Sequence, residues 1–152
     1  MIIKLCIVVP TYNNPTSIEA VTEEILSLTP YHVLIVDDGS DIPTHSLLKS
    51  KTLQIHLANQ RLSVIRLEKN LGKGRAIQSA IKACVANGYT HMLTIDGDGQ
   101  HLTSEIQKVV EFCKKKPWDL IIGHRRMHSE TVPTISKFGR AFSNFWVNFQ
   151  TG

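Results

Sequence analysis

Short apolar runs that end abruptly in polar, glycine-rich loops recur along this chain, with helix-period stretches between them. That alternation limits the possible folds more tightly than any other feature. Leu5–Val9 runs into Pro10-Thr11-Tyr12-Asn13-Asn14-Pro15, a loop by composition. Thr16 and Glu19 form a capping-box pattern, after which Ile18, Val21, Ile25 and Leu28 keep one helical face apolar. His32–Val36 closes on Asp37-Asp38-Gly39-Ser40, and Pro43 to about Ala58 reads as a helix. Leu62–Leu67 leads into Asn70-Leu71-Gly72-Lys73-Gly74, and Ala76, Ile77, Ala80, Ile81 and Cys84 mark a helix stopped by Asn87-Gly88. His91–Ile95 is a fourth strand. Ile106, Val109, Val110 and Cys113 define a helix ending before Pro117, and Trp118–Ile122 reads as a fifth strand. Strand and helix in strict alternation predict one α/β domain over residues 1–152, a mostly parallel sheet with helices on both faces. Ligand sites in such sheets lie at the strands' carboxyl ends, where every polar cluster here falls.

The chain is long enough for a substantial core, at 152 residues with 42% hydrophobic and 20% charged side chains. No apolar run approaches the ~20 residues that span a bilayer. Lys4 interrupts the apolar start and no small-residue cleavage site follows, so Met1–Val9 reads as a strand and not a secretory leader. Cys6, Cys84 and Cys113 are an odd number without metal-ligand spacing and sit among apolar residues, as structural thiols of a reducing cytoplasm do. The net charge of +4 fits a phosphate-bearing ligand or an anionic membrane surface. No basic–aromatic stacking pattern accompanies it, so nucleic acid is not expected as a partner.

Chemistry concentrates in Ile95-Asp96-Gly97-Asp98-Gly99-Gln100-His101. Two carboxylates two positions apart in extended chain project to one side, at the end of a buried strand. Hard oxygen ligands in that setting suit Mg²⁺ or Mn²⁺ shared with phosphate oxygens, and the glycines allow close approach. Asp37 or Asp38 can hydrogen-bond a ribose or base. Lys73, Arg75, Arg125 and Arg126 can offset phosphate charge. Gly72-Lys73-Gly74 matches neither the dinucleotide fingerprint nor a P-loop. Phe138, Phe142, Phe145, Trp146 and Phe149 share one helical face, which reads as core-facing, with a membrane-surface helix as the alternative.

Taken together, Val9-Pro10-Thr11-Tyr12-Asn13-Asn14, Val36-Asp37-Asp38-Gly39-Ser40, Asn70-Leu71-Gly72-Lys73-Gly74-Arg75-Ala76 and Asp96-Gly97-Asp98-Gly99-Gln100-His101 resemble a family 2 glycosyltransferase of the GT-A fold. The last motif resembles the dolichol- and polyprenyl-phosphate sugar synthase branch, as do Gly123-His124-Arg125 and Phe138–Asn144. The resemblance implies sugar transfer from a UDP- or GDP-sugar to a polyprenyl phosphate, at or near the cytoplasmic face of the membrane. Asp96, Asp98 and Gln100 would hold the metal. Pro10, Thr11 and Tyr12 would line the base pocket, Asp38 would contact the nucleoside, and Lys73 would lie near the nucleotide. Arg125 and Arg140 would reach the donor diphosphate and, with Asp98, form the catalytic set.

Members of that branch continue past the position of Thr151-Gly152 into an Asp-x-Gln-Ser-Gly-Phe-Arg segment on the acceptor side. The expectation is therefore a donor half without most of the acceptor half. Two other readings compete. One is a nucleotide-sugar-binding remnant without turnover. The other is a haloacid-dehalogenase-type phosphatase with Asp96 as nucleophile and Asp98 as general acid/base.

Overall fold

A computed structural model describes residues 2–97 and 105–121. Packing divides the chain into Met1–Asp119 and Leu120–Gly152, and the architecture that follows is that of the first unit. In chain order it comprises β1 (Leu5–Thr11), α1 (Ile18–Leu28), β2 (His32–Asp37), α2 (Lys51–Ala58), β3 (Leu62–Arg66), α3 (Lys73–Ala86), β4 (His91–Thr94) and α4 (Ile106–Lys115). The sheet order is β3-β2-β1-β4, and all three pairings are parallel. Strand order reverses between β1 and β4, so the crevice at their carboxyl ends is the topological switch point.

Strand β1 is buried along its whole length because both faces of the sheet are covered. Leu5, Ile7 and Val9 join a core with Ile18 and Ile25 of α1, Leu53 of α2, and Ile106 and Val110 of α4. Cys6 and Val8 turn to the opposite face, against Ala76, Ala80 and Cys84 of α3. Those three small residues recur every fourth position, so α3 presents a flat stripe and lies close on β1 and β2. Each fully buried Ile or Val contributes roughly 2 kcal/mol through the water it leaves. The free thiols Cys6 and Cys84 are buried, and burial is the main cause that keeps each protonated.

Four expectations are corrected. The Thr16–Glu19 capping box does not form. Ser17 is the N-cap of α1, without a side-chain cap hydrogen bond. Glu19 instead accepts from the amides of Lys49 (2.7 Å) and Ser50 (2.8 Å). Those two bonds explain the second correction, because they take amides that a continuous helix from Pro43 to Ala58 would need. The segment is a 3-10 turn at Thr44–Ser46, then α2, capped by the Ser50 hydroxyl on the amide of Leu53. Leu28 stands 42% exposed, and the buried face of α1 runs through Leu26. Finally, Trp118–Ile121 forms no strand and Trp118 is 85% exposed. A parallel strand exists only through its ladder, and among the described residues β4 pairs with β1 alone.

Candidate functional site

The four strands deliver their loops to one edge, and the acidic residues there do different work. Asp37 ends β2 fully buried. Its carboxylate accepts from the amides of Ser40 (2.8 Å) and Thr44 (2.9 Å) and from the Arg66 guanidinium at 2.8 Å. Arg66 also donates to the Ser40 carbonyl at 2.7 Å. Burial alone would raise the Asp37 pKa, but the hydrogen bonds from Thr44 and Ser40 outweigh it, leaving the carboxyl below its ordinary value. Asp37 is thus an ionised clamp on the loop after β2. Nothing in its bonding leaves it facing a ligand.

Asp38, the residue after β2, bonds a different loop. Its two carboxylate oxygens accept from the amides of Leu71 (2.9 Å) and Gly72 (2.8 Å), the two residues before α3. That grip needs the β3–α3 loop to come very close. Gly39 permits it: φ is +73°, and a Cβ there would stand 2.5 Å from the Lys69 backbone. The result fixes the first residue of α3, Lys73.

At the end of β4, Asp96 is differently placed. Its side chain is 34% exposed and ion-paired with the Lys73 ammonium, itself 58% exposed. Gly97 beside it is buried, and a Cβ there would lie 3.2 to 3.4 Å from Ile18, Val9 and Thr11. The Ser17 hydroxyl holds the Gly97 carbonyl at 2.6 Å. Asp96 therefore stands on a rigid base with its carboxylate facing solvent and a cation. At the end of β1, Pro10 and Thr11 are the last strand residues and buried, while Tyr12 is 43% exposed. Asn13 adopts a left-handed conformation (φ 52°) and ties the first loop to the second. Its amide donates to the Ser40 hydroxyl at 3.0 Å, and its side chain exchanges hydrogen bonds with Asp41. A cleft of about 260 Å³ opens there, lined by Thr11, Asn13, Ser40, Asp41, Thr44 and Leu47.

A chain of contacts joins these loops: the Asp38 amide donates to the Thr11 carbonyl at 2.9 Å, Asp38 holds the two residues before Lys73, and Lys73 meets Asp96. Arg75 does not join them and bonds Gln78 along its own helix. Asp98, Gln100, His101, Arg125, Arg126, Arg140 and the aromatic stripe of 138–149 lie outside the described residues. Sequence reasoning passed over Arg66 and Ser17, and gave Glu19 a capping role in place of its bonds to Lys49 and Ser50. A lone arginine closing an apolar strand after an Asp-Asp-Gly turn was the available signal for the first. Ser17 bonds a residue distant in sequence and left none.

A larger groove of about 550 Å³ lies among Cys6, His32, Leu34, Cys84 and Tyr89, towards the amino ends of β1 and β2. Burial pushes the His32 imidazole below its usual value, despite its bond to the Gln60 carbonyl. The Lys4 ammonium is held by the Asn87 carbonyl and the Tyr89 ring. The polar loops and their charges are elsewhere.

The family model for glycosyl transferase family 2 matches residues 6–150. The chain belongs to that family. It is 26% identical to the polyprenol monophosphomannose synthase of Mycolicibacterium smegmatis, over 91% of this chain and 54% of that one. It is likewise 26% identical to a UDP-N-acetylglucosamine–dolichyl-phosphate N-acetylglucosaminyltransferase of Methanococcus voltae, over 91% and 60%. The chain thus spans a little over half the length of these two relatives. Among solved structures, S. aureus TarS (residues 1–349) superposes with a TM-score of 0.59 at 26% identity, covering 87% of this chain and 39% of that one. A mannosyltransferase from Pyrobaculum calidifontis, in complex with GDP-Man and Mn²⁺, superposes with a TM-score of 0.53 at 23% identity, over 62% and 27%. The architecture is that of the GT-A glycosyltransferases, as the motifs implied. Family membership over almost the whole chain leaves the phosphatase reading of Asp96 without support.

Proposed function

We propose that the protein belongs to an enzyme that transfers a sugar from a UDP- or GDP-sugar to a polyprenyl phosphate. The observation that carries this reading is the junction at the switch point. There a solvent-facing carboxylate, Asp96, sits on a pinned glycine beside the end of β1, with Lys73 within reach. Relatives named for transfer to dolichyl or polyprenyl phosphates support the acceptor class. A structure of the same fold that carries GDP-Man with Mn²⁺ supports the donor class.

A divalent cation, Mg²⁺ or Mn²⁺, fits the chemistry of Asp96: a hard oxygen donor, partly exposed and already facing a cation. Asp98 and Gln100 would complete its ligands. When bound, the cation offsets the charge that builds on the nucleoside diphosphate as the glycosidic bond breaks. The chain's own residues do the rest. Pro10, Thr11 and Tyr12 offer a wall for the base. Asp38 holds the start of α3 in place and borders the nucleoside. Lys73, Arg125 and Arg140 supply positive charge to the phosphates. A phosphate acceptor is already anionic at neutral pH, so it needs little help from a general base. Among the described residues no helix is long and apolar enough to cross a membrane. Contact with the lipid phosphate is placed at the cytoplasmic face, where the net charge of +4 suits an anionic membrane surface.

Calorimetric titration of UDP and GDP, with and without Mn²⁺, tests the reading. One nucleotide should bind in a metal-dependent way, and Asp98→Ala should abolish that dependence. A folded chain that binds neither nucleotide would overturn this reading, and the nucleotide-sugar-binding remnant with it.

A further inference from the structure

Lys73 and Asp96 form an ion pair whose two ends are anchored very differently from the pair itself. Lys73 is the first residue of α3, fixed by the grip of Asp38 on Leu71 and Gly72. Asp96 precedes the glycine that Ser17 pins and that Val9, Ile18 and Thr11 enclose. Both backbones are held by buried contacts, yet the charges meet in water. An exposed pair of this kind is easily exchanged, because solvent screens it and the lysine stem is flexible. The arrangement keeps one position constant, the cation site at Asp96, while leaving its occupant replaceable.

We infer that Lys73 is the resident counter-cation of Asp96, competing with a divalent cation until a nucleoside diphosphate draws the ammonium away. The inference rests on the reading of Asp96 as a metal ligand given above. An ammonium and a divalent cation on one carboxylate repel each other, so binding of the cation requires Lys73 to leave. A four-carbon stem rooted at the start of α3 keeps the released ammonium local, where diphosphate oxygens accept it. Lys73 is in this sense a positioning residue: it makes metal binding weak alone and stronger with the diphosphate. Because coupling between two ligands is reciprocal, the nucleotide gains as much from the metal as the metal gains from it.

The test is calorimetric titration of Mn²⁺ into the full chain, without nucleotide and then with saturating UDP or GDP, for the wild type, Lys73→Met and Lys73→Arg. Lys73→Met should bind Mn²⁺ alone about fivefold more tightly, the scale of an exposed ion pair. The factor by which nucleotide strengthens Mn²⁺ binding should shrink several-fold in the same variant. Lys73→Arg, which keeps a cation at the position, should restore the wild-type pattern. If the wild type binds Mn²⁺ and Lys73→Met binds it equally or more weakly, the competition is overturned while the metal site stands. If the wild type binds neither Mn²⁺ nor nucleotide, the reading of the site and this inference fall together.

Discussion

The carboxylates at the end of β2 and the carboxylate at the end of β4 are the same chemical group put to opposite uses. Asp37 and Asp38 are buried, and both oxygens of each accept hydrogen bonds from backbone amides, Arg66 adding a charged one to Asp37. Asp96 has one charged partner among the described residues, a half-exposed lysine. A buried charge must be fully satisfied to be tolerated, so the β2 pair has its bonding capacity spent on shaping loops. An exposed charge held by one mobile partner keeps capacity in reserve. Side by side, the two ends show that an acidic motif does not announce by composition whether it builds a site or serves in it.

The comparison breaks first at Asp37, where the largest effect is expected. Asp37→Ala strands the amides of Ser40 and Thr44 and the Arg66 guanidinium, and should cost about 3 kcal/mol or more in denaturant unfolding. A loss below about 1 kcal/mol would mean that Asp37 is no more structural than a surface residue. Acid adds a second reading of the same group. Its folded-state pKa lies below the ordinary carboxylate value. The stabilisation is therefore fully present above pH ~4 and drains away as pH falls through the folded value. The stability difference between wild type and Asp37→Ala should shrink in that acid window.

Gly39→Ala sharpens the comparison from the backbone side. A left-handed φ of +73° strains any L side chain, and the new Cβ would meet the Lys69 backbone at 2.5 Å. The expected cost is roughly 2 kcal/mol, with the loop forced away from Asp38. Amide exchange at Leu71 and Gly72 should accelerate more than at Ile7 or Val8 in the sheet centre. Equal acceleration everywhere would show that Asp38 is not what holds the start of α3.

How much of this was legible in the sequence follows the same division. Four strands and the parallel order came from local periodicity, since a run such as Cys6–Val9 has no other way to bury itself. The carboxyl-end clustering of Thr11, Asp38, Lys73 and Asp96 followed from topology. The failures share one cause, which is partners distant in sequence. Glu19 belongs to Lys49 and Ser50, not to its own helix, so a capping pattern misread it. Asp37 belongs to Arg66, a pairing that appears only once β2 and β3 lie side by side. Trp118–Ile121 has strand composition, but composition does not supply a ladder partner.

The smallest stability effect is expected at the other end of the comparison. Asp96→Asn removes a charge whose side chain is 34% exposed and whose partner is 58% exposed. Solvent and salt screen such a pair, so the change in unfolding free energy should stay within about 1 kcal/mol and diminish further at high ionic strength. The Asn side chain keeps the volume, and the pinning of Gly97 by Ser17 does not involve the carboxylate. Metal-dependent nucleotide binding should nevertheless fall steeply, because a neutral amide is a poor ligand for a hard divalent cation. A variant that unfolds as readily as Asp37→Ala would place Asp96 with the loop-building residues and erase the difference between the two ends. Near-neutral stability with lost binding would make Asp96 a residue that the fold presents and does not need.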